Sequence, residues 1–174
     1  MSFLDTMLDL TDAFVSGYNA VTGMGPQGYP LIGRGSDEER GRIERLCREL
    51  GWGVDGREGG AILLRFNHAE LGPRDVRVMS GDECLALFLV YSHALPPADN
   101  VTEEVVGYLL HQNVTAAPGC WFADVLQDGR AIFGLRYDAL GAALDPPTLK
   151  FICEKMVAEV LSFDAWMKAE GLLA

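Results

Sequence analysis

Two runs of alternating side chains flank Asp128-Gly129 in the stretch CWFADVLQDGRAIFGLRYDAL, Cys120 to Leu140. A period of two marks strands with two different faces, and an Asp-Gly pair between such runs signals a hairpin with a two-residue turn. With Asp128 and Gly129 as the loop, Gln127 faces Arg130, and the rest of the register follows. Val125 pairs with Ile132, Ala123 with Gly134 and Trp121 with Arg136 on one face. The other face carries Cys120, Phe122, Leu126, Ala131, Phe133, Leu135 and Tyr137, with Asp124 as its polar exception. This second face is nearly all apolar and is expected to pack on helices.

The first face is mixed and admits two readings. One is a half-solvated sheet face on which Trp121 and Arg136 form an ordinary cross-strand pair. The other is a partner-binding surface anchored by Trp121, Val125, Ile132 and Arg136, because aromatic and arginine side chains are favoured anchors of protein interfaces.

The hairpin needs a sheet and helices around it, and the flanking sequence supplies both. Residues 3–20 place Phe3, Leu4, Met7, Leu8, Leu10, Phe14, Val15 and Tyr18 near helical spacing. TGMGPQGYPLIGRGS, Thr22 to Ser36, breaks regular structure and reads as a linker. Ser36 with Glu39 forms a capping box for a helix whose stripe is Ile43, Leu46, Cys47 and Leu50, and Gly51 ends it. Strands are expected at Trp52–Val54, at Ala61–Phe66, around Val76 and Val78, and at Glu83–Ser92. The last of these is apolar on both sides, as in a central strand covered on both faces. Asn100 is the expected cap of a helix from Val101 to Asn113. Asp145-Pro146-Pro147 opens a final helix that runs to about Ala169.

The fold class is therefore α+β: an antiparallel sheet packed on helices in the order α-β-β-β(-β)-α-β-β-α, preceded by an extra N-terminal helix. Residues 1–35 form the helix and linker, and residues 36–174 the main domain.

Charge and composition narrow the partners. The net charge of −11 repels a phosphate backbone, so nucleic acid is not an expected partner. The arginines of DEERGRIERLCREL alternate with acids, as on a solvated helix face. The longest apolar run, CLALFLVY, is too short to cross a bilayer. The N-terminus carries Asp5, Asp9 and Asp12 and no basic start, unlike a secretory signal, and the chain reads as cytoplasmic. Cys47, Cys84, Cys120 and Cys153 are widely spaced in apolar patterns and read as free thiols with no metal role.

Catalytic motifs do not appear. His68, His93 and His111 are scattered, and neither Ser92 nor Cys84 sits in a nucleophile context. GMGPQG lacks the lysine of a phosphate loop. No cofactor is expected.

The segments VTEEVVGYLLHQNV and GCWFADVLQDGRAIFGLRYDALGAALDPPTLKFICEKMVAEVLSFDAWM resemble the C-terminal half of YbjN-type proteins, described as bacterial sensory transduction regulators. IERLCRELGWGVDGREGGAILLRF resembles that family's first helix and hairpin. The resemblance spans roughly Asp37 to Met167 and implies a fold like that of type III secretion chaperones. It also implies a non-enzymatic, acidic, homodimeric protein that binds a protein partner. It carries over no client-binding residue. The alternative is a small-molecule sensor or enzyme whose site is assembled in space.

Overall fold

The computed structural model describes residues 37–58, 61–80, 85–115 and 118–171. The expected N-terminal helix, the linker and the Ser36 cap lie outside the described residues. Helix α1 (Asp37–Glu49) is followed by strands β1 (Gly56–Glu58), β2 (Ala61–Phe66), β3 (Arg74–Ser80) and β4 (Leu85–Tyr91). Helix α2 (Glu103–Thr115), strands β5 (Cys120–Val125) and β6 (Ala131–Leu140) and helix α3 (Pro146–Ala169) complete the chain. The six strands form one sheet in the order β1-β2-β3-β4-β6-β5, and every neighbouring pair is antiparallel. The first four strands form a meander. The hairpin then enters in reverse, with β6 against β4 and β5 at the edge.

Local chemistry sets the element ends. The α1 stripe closes at Gly51, which takes φ 71°. Trp52 N donates to Cys47 O at 2.9 Å and Gly51 N to Arg48 O at 3.0 Å. That pair of bonds is a Schellman motif, and it uses the residues expected to start the first strand. Trp52 instead packs edge-on against Phe66 at 5.3 Å, and the strand forms later, at Gly56–Glu58. Asn100 is not the cap of α2, because it belongs to a short 3-10 turn, Ala98–Asn100. Thr102 caps the helix instead, its Oγ1 accepting from Val105 N at 3.4 Å. Asp145 caps α3 as expected, with Oδ1 accepting from Thr148 N at 2.8 Å.

All three helices place their buried side chains in one cluster on the inner face of the sheet, among the described residues. Ile43, Leu46 and Cys47 come from α1, Val105 and Leu109 from α2, and the stripe Leu149 to Met167 from α3. They meet Ile62, Leu64, Val76, Val78, Phe88, Val90, Phe133 and Leu135, which alternate along the strands. Phe163 of α3 is an aromatic centre, 5.0 Å from Trp121, 5.3 Å from Phe133 and 5.6 Å from Tyr108. Tyr108 also stacks on Trp166 at 4.6 Å, which joins α2 to α3. No described helix is long and apolar enough to cross a membrane.

Candidate partner-binding face

The hairpin loop begins one residue earlier than a two-residue loop would. Leu126 N donates to Arg130 O at 2.8 Å, and Gly129 N donates to Leu126 O at 2.8 Å. The loop is therefore Gln127-Asp128-Gly129, a turn closed by a left-handed Gly129 at φ 79°. Asp128 braces it, accepting from Arg130 N at 3.1 Å and Arg130 Nε at 2.8 Å. The Asp128 carboxyl is held below the usual carboxylate range by its hydrogen bond to the Arg130 side chain.

That single residue inverts the sidedness of β5. The register is Cys120↔Arg136, Trp121↔Leu135, Phe122↔Gly134 and Asp124↔Ile132. Trp121 is not opposite Arg136, and the four expected anchors do not share a face. Trp121 joins the inner core at 4% exposure. Its backbone is clasped from α2: Trp121 N donates to Asn113 Oδ1 at 2.5 Å, and Asn113 Nδ2 donates to Trp121 O at 3.1 Å. Its indole Nε1 is buried and meets no hydrogen-bond acceptor. Val125 follows Trp121 on the inner row but is exposed near the strand end. Ile132 and Arg136 stand on the outer face, with Phe122 rather than with Trp121. The assignment of Phe133, Leu135 and Ala131 to the core is correct, and that of Phe122 and Cys120, which the register puts on the outer face, is not.

The outer face is built around β4. Leu85, Leu87, Leu89 and Tyr91 alternate with the core residues Ala86, Phe88 and Val90. Leu87 and Leu89 are each only 6% exposed, although neither belongs to the helix-packed cluster. One row across the sheet reads Leu63, Arg77, Leu89, Arg136, Cys120. The next places Tyr91, Gly134 and Phe122 side by side. Tyr91 and Phe122 meet edge to face at 5.9 Å across that glycine. A Cβ on Gly134 would come within 2.5 Å of the Phe122 ring, so only glycine leaves room for the pair. Towards the other end, Leu85 pairs with Leu140, exposed by 37% and 61%.

Charges border this apolar stripe. Arg77 lies over Tyr91 with its guanidinium 5.4 Å from the ring centroid. Arg136 binds Asp138 through Nε at 3.2 Å and Nη2 at 2.9 Å. Arg65 binds Asp75 through two bonds of 2.8 Å, which lowers the Asp75 carboxyl and raises the Arg65 guanidinium.

Ser92, His93 and Asp164 come together at the far end of the inner face, but not as a catalytic triad. Asp164 is fully buried and accepts from Ser92 Oγ directly, from Arg74 Nη2, and from Arg74 Nε at 3.0 Å. Arg74 is 1% exposed, and its Nη1 also donates to Leu71 O at 2.7 Å and Pro73 O at 2.9 Å. His93 Nδ1 lies 2.9 Å from the same Nη1. Guanidinium has only donors to offer, so Nδ1 must be the acceptor and the imidazole is neutral. Desolvation and then the Arg74 charge hold His93 below its ordinary value, against the opposing pull of Asp164 and Asp75. A base in a triad would stand between serine and aspartate, whereas here the serine bonds the aspartate itself. The cluster fastens α3 to the ends of β3 and β4. Burial pushes the Cys47 thiol up to about 11 and raises Cys153 further, so both are poor nucleophiles. Among the described residues no group of histidine, cysteine and acidic side chains is arranged to hold a metal ion.

The outer stripe was visible in the sequence as a β4 run apolar on both sides, yet its Leu85, Leu87, Leu89 and Tyr91 were not singled out. Arg77, in RDVRVMS, carried the alternation that puts it beside them. Phe122 was assigned to the wrong side by the turn.

No family model and no curated protein sequence matches the chain. Solved structures similar in fold include the following two. The crystal structure of YbjN from E. coli, described as a candidate transcription regulator, superposes with a TM-score of 0.58 at 13% identity, covering 78% of this chain and 95% of that one. This is a YbjN-like fold. The Yersinia pestis type III secretion chaperone SycH, solved in complex with a stable fragment of YscM2, gives 0.51 at 12% identity, covering 72% of this chain and 98% of its own. The expected architecture, an antiparallel sheet packed on helices as in YbjN and the chaperones, is the observed one. Neither of these YbjN-like neighbours is an enzyme by its description, and one of them was captured holding a piece of another protein.

Proposed function

We propose that this chain is a non-enzymatic protein-binding module, chaperone-like or regulatory, that takes a partner segment on the outer face of its sheet. The observation that carries this reading is the β4 strand, which presents Leu85, Leu87, Leu89 and Tyr91 away from the helix-packed core. Leu87 and Leu89 are already covered at 6% exposure, so the part of this face open to a partner is the end where Leu85 and Leu140 are exposed by 37% and 61%. Ile132 and Arg136 remain part of the binding surface, joined by Phe122 and Leu140, while Trp121 and Val125 drop out. SycH, with the same fold, binds a fragment of YscM2, which supports a protein partner here.

The module works as a homodimer in the cytoplasm. The dimer reading is supported by Leu110 and Val114 of α2, which lie on one helix face and are exposed by 50% and 85%. The net charge of −11 supports a partner other than nucleic acid.

The test is an affinity capture run in parallel with the parent and with Ile132→Ser/Leu140→Ser. The expected result is a partner bound by the parent and lost by the variant, at unchanged melting temperature. A partner retained equally by both places binding elsewhere. Light scattering on Leu110→Glu/Val114→Glu tests the dimer, whose mass should fall by half.

A further inference from the structure

Two of the three histidines in the chain hold one loop, each through a ring nitrogen that acts as an acceptor. We infer that the loop of residues 67–73, between β2 and β3, is an acid-released latch, closed by His68 and His93 while both rings are neutral and opened when both are protonated. Its pivot is Leu71. The Leu71 N–H donates to His68 Nδ1 at 3.2 Å, and the Glu70 N–H joins it at 3.4 Å. The Leu71 carbonyl accepts from Arg74 Nη1 at 2.7 Å, the nitrogen that also gathers the carbonyls of Pro73 at 2.9 Å and Gly72 at 3.4 Å. His93 Nδ1, just past the end of β4, lies 2.9 Å from the same Nη1. Both backbone polar groups of Leu71 thus depend on an imidazole, one directly and one through a guanidinium.

A hydrogen bond into Nδ1 needs its lone pair, so the ring proton of each histidine sits on Nε2. Protonation puts a second N–H where the acceptor was. At His68 that N–H meets the Leu71 and Glu70 amides, donor against donor. At His93 it meets Arg74 Nη1 and sets a second positive charge beside a guanidinium that is 1% exposed. Arginine does not give up its own proton. Arg74 Nε and Nη2 stay tied to Asp164, so the arm that yields is Nη1, with the three carbonyls it gathers. Both imidazoles are solvent-exposed, and protons reach them without unfolding of the sheet. The charged groups facing His93 are Arg74 and Asp75 on β3 and Asp164 on α3. Desolvation and the Arg74 charge hold its pKa below the ordinary value, against the pull of both aspartates. The charged residue bonded to His68 is Glu70, through its backbone amide. A proton therefore favours the open loop, so the latch is closed above about pH 6.5 and is lost as the pH falls below it. The loop lies at the end of the sheet opposite Leu85 and Leu140, so the latch stands or falls independently of binding at that end.

The test is amide exchange at Leu71 in the full chain, followed by NMR and expressed as protection relative to an unstructured peptide. One pH unit below about 6.5, each histidine that protonates only in the open loop multiplies opening about tenfold, and two multiply it about a hundredfold. Between about pH 7.5 and about pH 5.5 the protection of Leu71 should therefore fall about a hundredfold in the parent. It should fall about tenfold in His68→Asn or in His93→Asn, and hardly at all in His68→Asn/His93→Asn. Asparagine places Oδ1 close to where Nδ1 was, so the acceptor stays and the titration goes. Val78, in the middle of β3, is the reference for the sheet and reports that each variant is folded. A local latch requires Leu71 to exchange well ahead of Val78 at every pH. Equal protection at the two residues overturns the inference, because the loop would then open only with the sheet. A fall as large in the double variant as in the parent overturns it as well. If one single variant abolishes the fall and the other leaves it unchanged, a latch of two histidines is refuted.

Discussion

Replacing Asp164 by asparagine tests how the last helix is tied to the sheet. Arg74 and Asp164 are 1% and 0% exposed, ninety positions apart, and joined through both Nε and Nη2. Asparagine keeps the shape and one acceptor oxygen but removes the charge, leaving a buried guanidinium with only neutral acceptors around it: the new amide oxygen, backbone carbonyls and His93. Breaking a buried pair from one side typically costs about 3–5 kcal/mol, a large part of the roughly 5–15 kcal/mol that holds a domain together. At a urea m-value of about 1–3 kcal/mol/M, a loss of about 3 kcal/mol lowers the unfolding midpoint by about 1–3 M. Urea titration followed by circular dichroism measures this directly. Removing the whole polar set should be much milder, since Arg74→Met/Asp164→Leu/Ser92→Ala leaves no charge stranded. The Leu71 and Pro73 carbonyls, in a loop at the surface, can turn to water instead. An Asp164→Asn protein within about 1 kcal/mol of the parent would refute the reasoning, because it would mean that neutral acceptors suffice to hold the Arg74 charge in the interior.

Three further outcomes are expected. Trp121→Ala should destabilise by about 3–5 kcal/mol, as a core truncation, whereas Trp121→Phe should be near neutral because it removes an indole N–H that has no acceptor; thermal unfolding of the two variants separates core from surface. Gly134→Ala should cost about 1–3 kcal/mol by driving the Phe122 ring off its seat, and Gly134→Ala/Phe122→Leu should recover part of that loss in the same measurement. His93 is held below its ordinary 6.5, so the unfolded chain binds its proton first. Its contribution is fully present above that pH and is lost as pH falls through the lowered folded value. Unfolding free energies measured between about pH 5 and 8 should therefore fall with acidification more steeply in the parent than in His93→Gln.

The sequence showed most of the architecture and little of the site, for reasons that can be traced to particular residues. Helix α3 announced itself through Asp145-Pro146-Pro147 and a long apolar stripe, both local signals. Strand β4 was legible because nothing polar interrupts it between Leu85 and Tyr91. The hairpin was placed correctly and turned incorrectly. On β5, Trp121 and Val125 lie on one side and Phe122 and Leu126 on the other, so hydrophobicity gave no preference between sides and the turn had to decide. Asp-Gly fits a two-residue loop as readily as the observed three-residue one, in which Gly129 takes the left-handed position. The Arg74–Asp164 pair had a faint signal, since Asp164 falls four positions after Val160 and three before Met167 in a core stripe. Its partner could not be read at that separation, because only the sheet brings Arg74 to it.

Asn113 occupies the β5 margin of this sheet at Trp121. A strand at a margin continues to recruit neighbours while its outward N–H and C=O groups remain unmet. At Trp121 both are met by one side-chain amide, which is in effect a peptide group lent by a helix. At that point of the margin, the place of a next strand is taken by a residue that belongs to no strand. Lengthening or shortening α2 by a single position would reopen the margin without altering any residue of β5.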